Sequence, residues 1–110
     1  MSTTESAVIQ LRRGVLASCV VAMISDGERY GLDLVNELVE IGLASSEGTI
    51  YPLLARLRRD GLVSSRWEES TSGPPRRYYA ATEQGRAAVA DFRAAWETLA
   101  SSVDKALRTR

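Results

Sequence analysis

Arginine is the residue type in this sequence best placed to do chemistry. Arg56, Arg58, Arg59, Arg66, Arg76 and Arg77 all fall between positions 46 and 80. A guanidinium stays charged and carries five N–H donors in a planar fork, which suits phosphate oxygens and the edge of guanine. Catalysis has far less to work with. The chain contains no histidine, which removes His-based triads, the usual general base at neutral pH and most zinc sites. Its one cysteine, Cys19, lies in the apolar run "VLASCVVAMI". It reads as a small core residue in a reducing compartment. No acidic cluster has the spacing of a carboxylate metal site, and no nucleophile can be matched with a base. The pattern implies binding without turnover, and it implies neither metal nor cofactor.

The 110 residues include 14 basic and 14 acidic groups. Neutrality argues weakly against a nucleic-acid ligand, because proteins that bind nucleic acid are often basic. The distribution matters more than the sum. Residues 1–45 carry three basic and six acidic groups, residues 46–80 six and four, and residues 81–110 five and four. Positive charge in the middle segment is entirely arginine. The length suits one domain with a small core, which an added interface would help. No uninterrupted apolar run approaches the roughly 18 residues of a membrane span. "MSTTESAVIQ" has neither a basic n-region nor a cleavage pattern, so export is not expected.

The arginines must be held by something, and the hydrophobic spacing says what. Val8, Leu11, Val15, Leu16, Val20 and Met23 predict a first helix over 7–24. "SDGERYG" supplies a turn. A second helix over 32–41 is expected to bury Leu34, Val35, Leu38 and Ile41, with Gly42 ending it. A third helix carries Ile50, Leu53, Leu54 and Leu57 on one face and ends at Gly61. Ser46 or Thr49 caps its start, and Ser46 is the better reading. Pro52 then falls inside the helix and frees the Gly48 carbonyl, so a small kink is expected. "LVSSRWEE" and "RRYYAA" read as strands around the loop "STSGPP". Thr82 caps a long last helix in which Val89, Phe92, Trp96, Leu99, Val103 and Ala106 are spaced 3, 4, 3, 4, 3. The sum is a mainly α (α+β) chain: a winged helix-turn-helix over 1–81, then a C-terminal dimerisation helix over 82–110, forming one compact unit.

In "YGLDLVNEL", "SSEGTIYPLLARLRRDGLV" and "GPPRRYYAATEQGR" the sequence resembles the PadR family of bacterial transcriptional regulators, in its short form with one C-terminal helix. The resemblance covers most of residues 7–110. It implies a cytoplasmic homodimer that binds double-stranded operator DNA, on the nucleoid when bound, and that usually represses transcription. Many members respond to small aromatic or phenolic effectors. Glu47 departs from the family, where proline is common. An acid there suits a helix start but repels phosphate; it either lowers non-specific affinity or meets a cytosine amino group.

Projecting the third helix at about 100° per residue sets Gly48, Pro52, Ala55 and Arg59 opposite its apolar face. Thr49 and Arg56 lie on one flank, Tyr51 and Arg58 on the other. Small residues on the approaching face let a helix enter a groove about 12 Å wide. Thr49, Pro52 and Ala55 are therefore expected at base edges, and Arg56 and Arg59 at bases or phosphate. Ser46, Tyr51 and the backbone N–H groups from Glu47 and Gly48 onward are expected at phosphate oxygens. Arg76 and Arg77 add charge from the wing, but alternation forbids a regular strand from aiming both at DNA, so one is expected in the loop.

Val89, Phe92, Trp96, Leu99 and Val103 form the expected dimer seam. Two copies of Trp96 facing one another across that seam could sandwich a planar aromatic effector. The alternative from another class is a winged-helix protein-interaction module without DNA binding. Neutral net charge favours that reading, and the clustered arginines oppose it.

Overall fold

The computed structural model describes residues 3–108. It contains α1 (Thr3–Met23), β1 (Arg29–Tyr30), α2 (Gly31–Glu40), α3 (Glu47–Arg59), β2 (Val63–Glu68), β3 (Arg76–Ala81) and α4 (Glu83–Arg108). The three strands form one antiparallel sheet in the order β1-β3-β2. β2 and β3 pair in register from Val63 with Ala81 to Glu68 with Arg76, and the 69–75 loop between them is the wing tip. β1 was not foreseen. Its two residues pair with Tyr79 and Tyr78, so the expected turn also closes the sheet.

Helices α2 and α3 end alike. Gly42 and Gly61 adopt φ values of 87° and 80°, which only glycine takes without strain. Beyond each, an amide reaches back to the last turn: Leu43 N–H to Leu38 O at 2.9 Å and Leu62 N–H to Leu57 O at 3.0 Å. These are Schellman closures, and they place Leu43 and Leu62 against the core. Ile41, expected in the core, is instead 55% exposed. It caps α2, where the chain is already turning outward.

The core gathers Val20, Val21 and Ile24 from α1, Leu34, Val35 and Leu38 from α2, and all four apolar residues foreseen on α3. Val63, Tyr79 and Ala81 of the sheet close it. No polar side chain is buried among the described residues. α1 packs on α4 and β3, and Ala81 N–H donates to Ile24 O at 2.9 Å. Over 18 residues α1 has a mean hydropathy of 1.3, long and apolar enough by composition to cross a membrane. Its apolar residues split between two faces: Leu16, Val20 and Met23 turn inward, while Leu11 stays 69% exposed.

Thr82 caps α4 as expected. Its Oγ1 accepts from Gly85 N–H at 3.0 Å and donates to Gly61 O at 2.7 Å, tying the end of α3 to the start of α4. Gly85 is required here for a reason that periodicity does not carry. A Cβ on it would overlap the Leu62 carbonyl oxygen and sit 3.2 Å from Val21 Cγ1.

Candidate nucleic-acid interface

α3 begins at Ser46, whose extended backbone (φ −165°, ψ 163°) marks the N-cap although its hydroxyl makes no capping bond. The helix then runs unbroken from Glu47 to Arg59 through Pro52. Ile50, Leu53, Leu54 and Leu57 are buried, which fixes the rotation of the helix and turns the rest outward. Ser46, Glu47, Gly48, Thr49, Tyr51, Pro52, Arg56, Arg58 and Arg59 are exposed, and Ala55 is half-buried.

Each flank of that face is bordered by another element. On one side Thr49, Pro52 and Arg56 share a cleft of about 290 Å³ with Arg13, Leu16 and Ala17 of α1. On the other, Tyr51 shares a cleft of about 310 Å³ with Trp67, Arg76, Arg77 and Tyr79 of the wing. Gly31 permits the second approach, since a Cβ there would lie 3.0 Å from the Tyr79 ring and 3.4 Å from that of Tyr51. Partial burial, then the neighbouring Tyr79 and Glu47, push the Tyr51 hydroxyl above its usual pKa. It therefore remains a neutral hydrogen-bond donor at physiological pH.

The arginines separate into paired and unpaired. Arg66 is held by Glu28, with Nε donating to Oε2 at 2.8 Å, and by Glu68 at 3.1 Å. Arg29 pairs with Glu37. Arg13, Arg56, Arg58 and Arg59 have no ion-pair or hydrogen-bond partner among the described residues. Arg76 and Arg77 both lie in β3, not one in the loop as expected. They occupy opposite faces of the strand. Arg76 covers the Tyr30 ring at 4.8 Å. Arg77 donates to Ser65 Oγ at 3.2 and 2.9 Å and lies over Trp67 at 5.3 Å and Tyr79 at 5.6 Å. Sequence reasoning missed Arg13. Its only signal was a charged pair interrupting an apolar helix, and the partner helix lies more than thirty positions away.

The face formed by α1 and α4 is of another kind. Val89, expected in a dimer seam, is only 7% exposed and belongs to the chain's own core. α1 packs on α4 and covers this first heptad position within the chain. Phe92 is half-buried and stacks on Trp96 with ring centroids 6.3 Å apart. Beyond it Trp96, Leu99 and Val103 are 48%, 58% and 45% exposed. An apolar groove of about 400 Å³ runs between the helices, lined by Val15, Cys19, Ala22, Phe92 and Trp96 among others. Burial raises the Cys19 thiol pKa, so the thiol is not activated.

Three helices, a Schellman turn into an exposed third helix and a two-stranded wing define a winged helix-turn-helix. The transcriptional regulator PadR-like family model matches residues 20–91. The chain is 38% identical over 94 residues to transcriptional regulator Rv3488 of Mycobacterium tuberculosis, covering 86% of this chain and 87% of that one. A PadR family transcriptional regulator of Eggerthella lenta is similar in structure, with a TM-score of 0.85, 36% identity and coverage of 97% of this chain and 94% of that chain. Bacillus subtilis PadR, solved in complex with operator DNA, shares the fold at a TM-score of 0.65 and 21% identity, over 71% of this chain and 45% of that one. This chain belongs to the PadR-like family of transcriptional regulators, which are not enzymes.

Proposed function

We propose that this chain is a cytoplasmic, homodimeric transcriptional repressor that binds operator DNA and is released by a small planar aromatic effector. Residues 1–81 serve as the DNA-binding unit and 82–110 as the dimerisation helix. The observation that carries the reading is the outer face of α3. Small residues lead it, unpaired Arg56, Arg58 and Arg59 follow, and its own apolar stripe is fully used in the core. Thr49, Pro52 and Ala55 meet base edges; Arg56 and Arg59 meet bases or phosphate. Ser46, Tyr51 and the first-turn amides of Glu47 and Gly48 hold backbone phosphates. Arg77 is steered by its Ser65 bonds and ring contacts toward the Tyr51 cleft. Arg76 adds exposed charge beside the wing tip.

The exposed line Trp96, Leu99 and Val103, with half-buried Phe92, supports pairing with a second copy. An apolar stripe of that length on one helix, next to an apolar groove, gains most by burial against its symmetry mate. The groove's size lies in the range of small-molecule sites, and Trp96 forms part of its wall. An effector seated there acts only by its differential affinity for the two spacings of the recognition helices.

The test is a mobility shift with DNA from upstream of the protein's own gene, repeated at rising salt. Binding should weaken steeply, by about one log–log unit per phosphate contact. No shift, or a flat salt response, ends the DNA-binding reading. For the effector, Trp96 fluorescence in a Trp67→Phe background should be quenched by planar aromatic compounds. An unchanged signal ends that part alone.

A further inference from the structure

We propose that Arg13, on α1, is a DNA-backbone contact that forms a phosphate seat with Thr49 and Arg56 on the α1 flank of the recognition helix. The inference rests on the operator-binding reading above and extends it to an element outside the helix-turn-helix and the wing.

Arg13 and Thr49 together line two adjoining depressions. One follows α3 through Pro52 to Arg56; the other runs back to Ser45, before the helix begins. Among the described residues, no Asp or Glu lines either one. Arg13 is exposed and has no partner among the described residues, whereas its neighbour Arg12 donates to Gly42 O at 2.8 Å. Two unpaired guanidiniums bordering one cleft raise its positive potential, and an anion between them relieves their repulsion. The Thr49 and Ser45 hydroxyls add donors of the kind that hold phosphate oxygens. When a helix enters the major groove, the groove's edge is a sugar–phosphate strand, and this cleft lies along the edge of the helix. A second copy seated on the groove between α1 and α4 would leave the cleft open. On α1, the residues Leu11, Val15 and Cys19 on that side lie about 120–160° around the helix from Arg13.

The test uses the intact dimer and two labelled duplexes of equal length, one from upstream of the protein's own gene and one of random sequence. Fluorescence anisotropy gives Kd between 50 and 200 mM salt for the unaltered protein, Arg13→Ala and Arg13→Lys. Arg13→Ala should weaken both duplexes by a similar factor, on the order of tenfold or more at 0.1 M salt. With two protomers, its salt slope should fall by about two units. Arg13→Lys should keep the slope, and all three proteins should melt and sediment alike. Unchanged affinity and slope in Arg13→Ala overturn this proposal and leave operator binding intact. A loss that tracks a lower melting temperature or a dissociated dimer, unrelieved by lysine, overturns it as well. If the unaltered protein binds neither duplex, operator binding falls and takes this proposal with it.

Discussion

Helices α3 and α4 carry apolar residues at the same helical spacing and end with opposite surfaces. On α3, Ile50, Leu53, Leu54 and Leu57 are all buried by α1, α2 and the sheet. What remains outside is polar, small or cationic. On α4, Val89 is buried and Phe92 half-buried, while Trp96, Leu99 and Val103 stand in the open. The difference teaches that periodicity reports a face to be covered but not what covers it. For α3 the cover is the chain itself, and the freed surface is available for a charged ligand. For α4 the stripe outruns the domain, and the excess is available for another apolar surface.

The largest effect should come from charging the uncovered stripe. Leu99→Glu combined with Val103→Glu would bury four unpaired carboxylates in a dimer seam, each costing several kcal/mol. The variant should sediment as a monomer and lose at least about a hundredfold in operator affinity, since two half-sites no longer act together. A dimer that still binds would place the interface elsewhere. Arg59→Ala attacks the other surface. It should cost about 1–3 kcal/mol of operator binding without changing melting or sedimentation. If affinity and salt slope both stay unchanged, Arg59 leaves the interface.

Gly85→Ala tests the joint between the two regions. The added methyl meets the Leu62 carbonyl, a backbone atom that cannot rotate away. Overpacking of this kind costs about 1–3 kcal/mol, measurable by denaturant unfolding. An unaltered midpoint would mean that α4 shifts freely against Leu62. Glu28→Gln should do least. The Arg66 hydrogen bonds hold the Glu28 carboxyl below its usual pKa. Its contribution is therefore full at neutral pH and lost as pH falls through the lowered folded value. The variant should melt slightly earlier at pH 7, converge with the unaltered protein in acid, and bind operator DNA equally well. A change in DNA affinity would place Arg66 on the DNA face.

Local chemistry was legible in the sequence. The bounds of α3, the glycines at 42 and 61, the Thr82 cap and the wing strands each rest on a few adjacent residues, and such signals act over one turn. The family resemblance rests on the same stretches. The two-residue β1 has no period to detect, because its pairing partners are Tyr78 and Tyr79. The candidate base-edge positions Thr49, Pro52 and Ala55 on α3 could be picked out because one apolar face fixes the helix rotation.

By itself, then, the sequence determined the order of the four helices and the two wing strands, the apolar stripe of each helix and the concentration of arginine in one segment, but neither β1 nor the start of α1 at Thr3. Only the tertiary structure decided which charges remain unpaired. Glu28 reaches Arg66 across 38 positions, whereas Arg13 comes beside Arg56 with no carboxylate among the described residues lining their cleft. It also divided the α4 stripe between the chain's own core and an open face. The physical reason is shared. Neutralisation of a charge and burial of an apolar side chain depend on distance in space, and spacing along one helix sets only the direction in which a side chain leaves it.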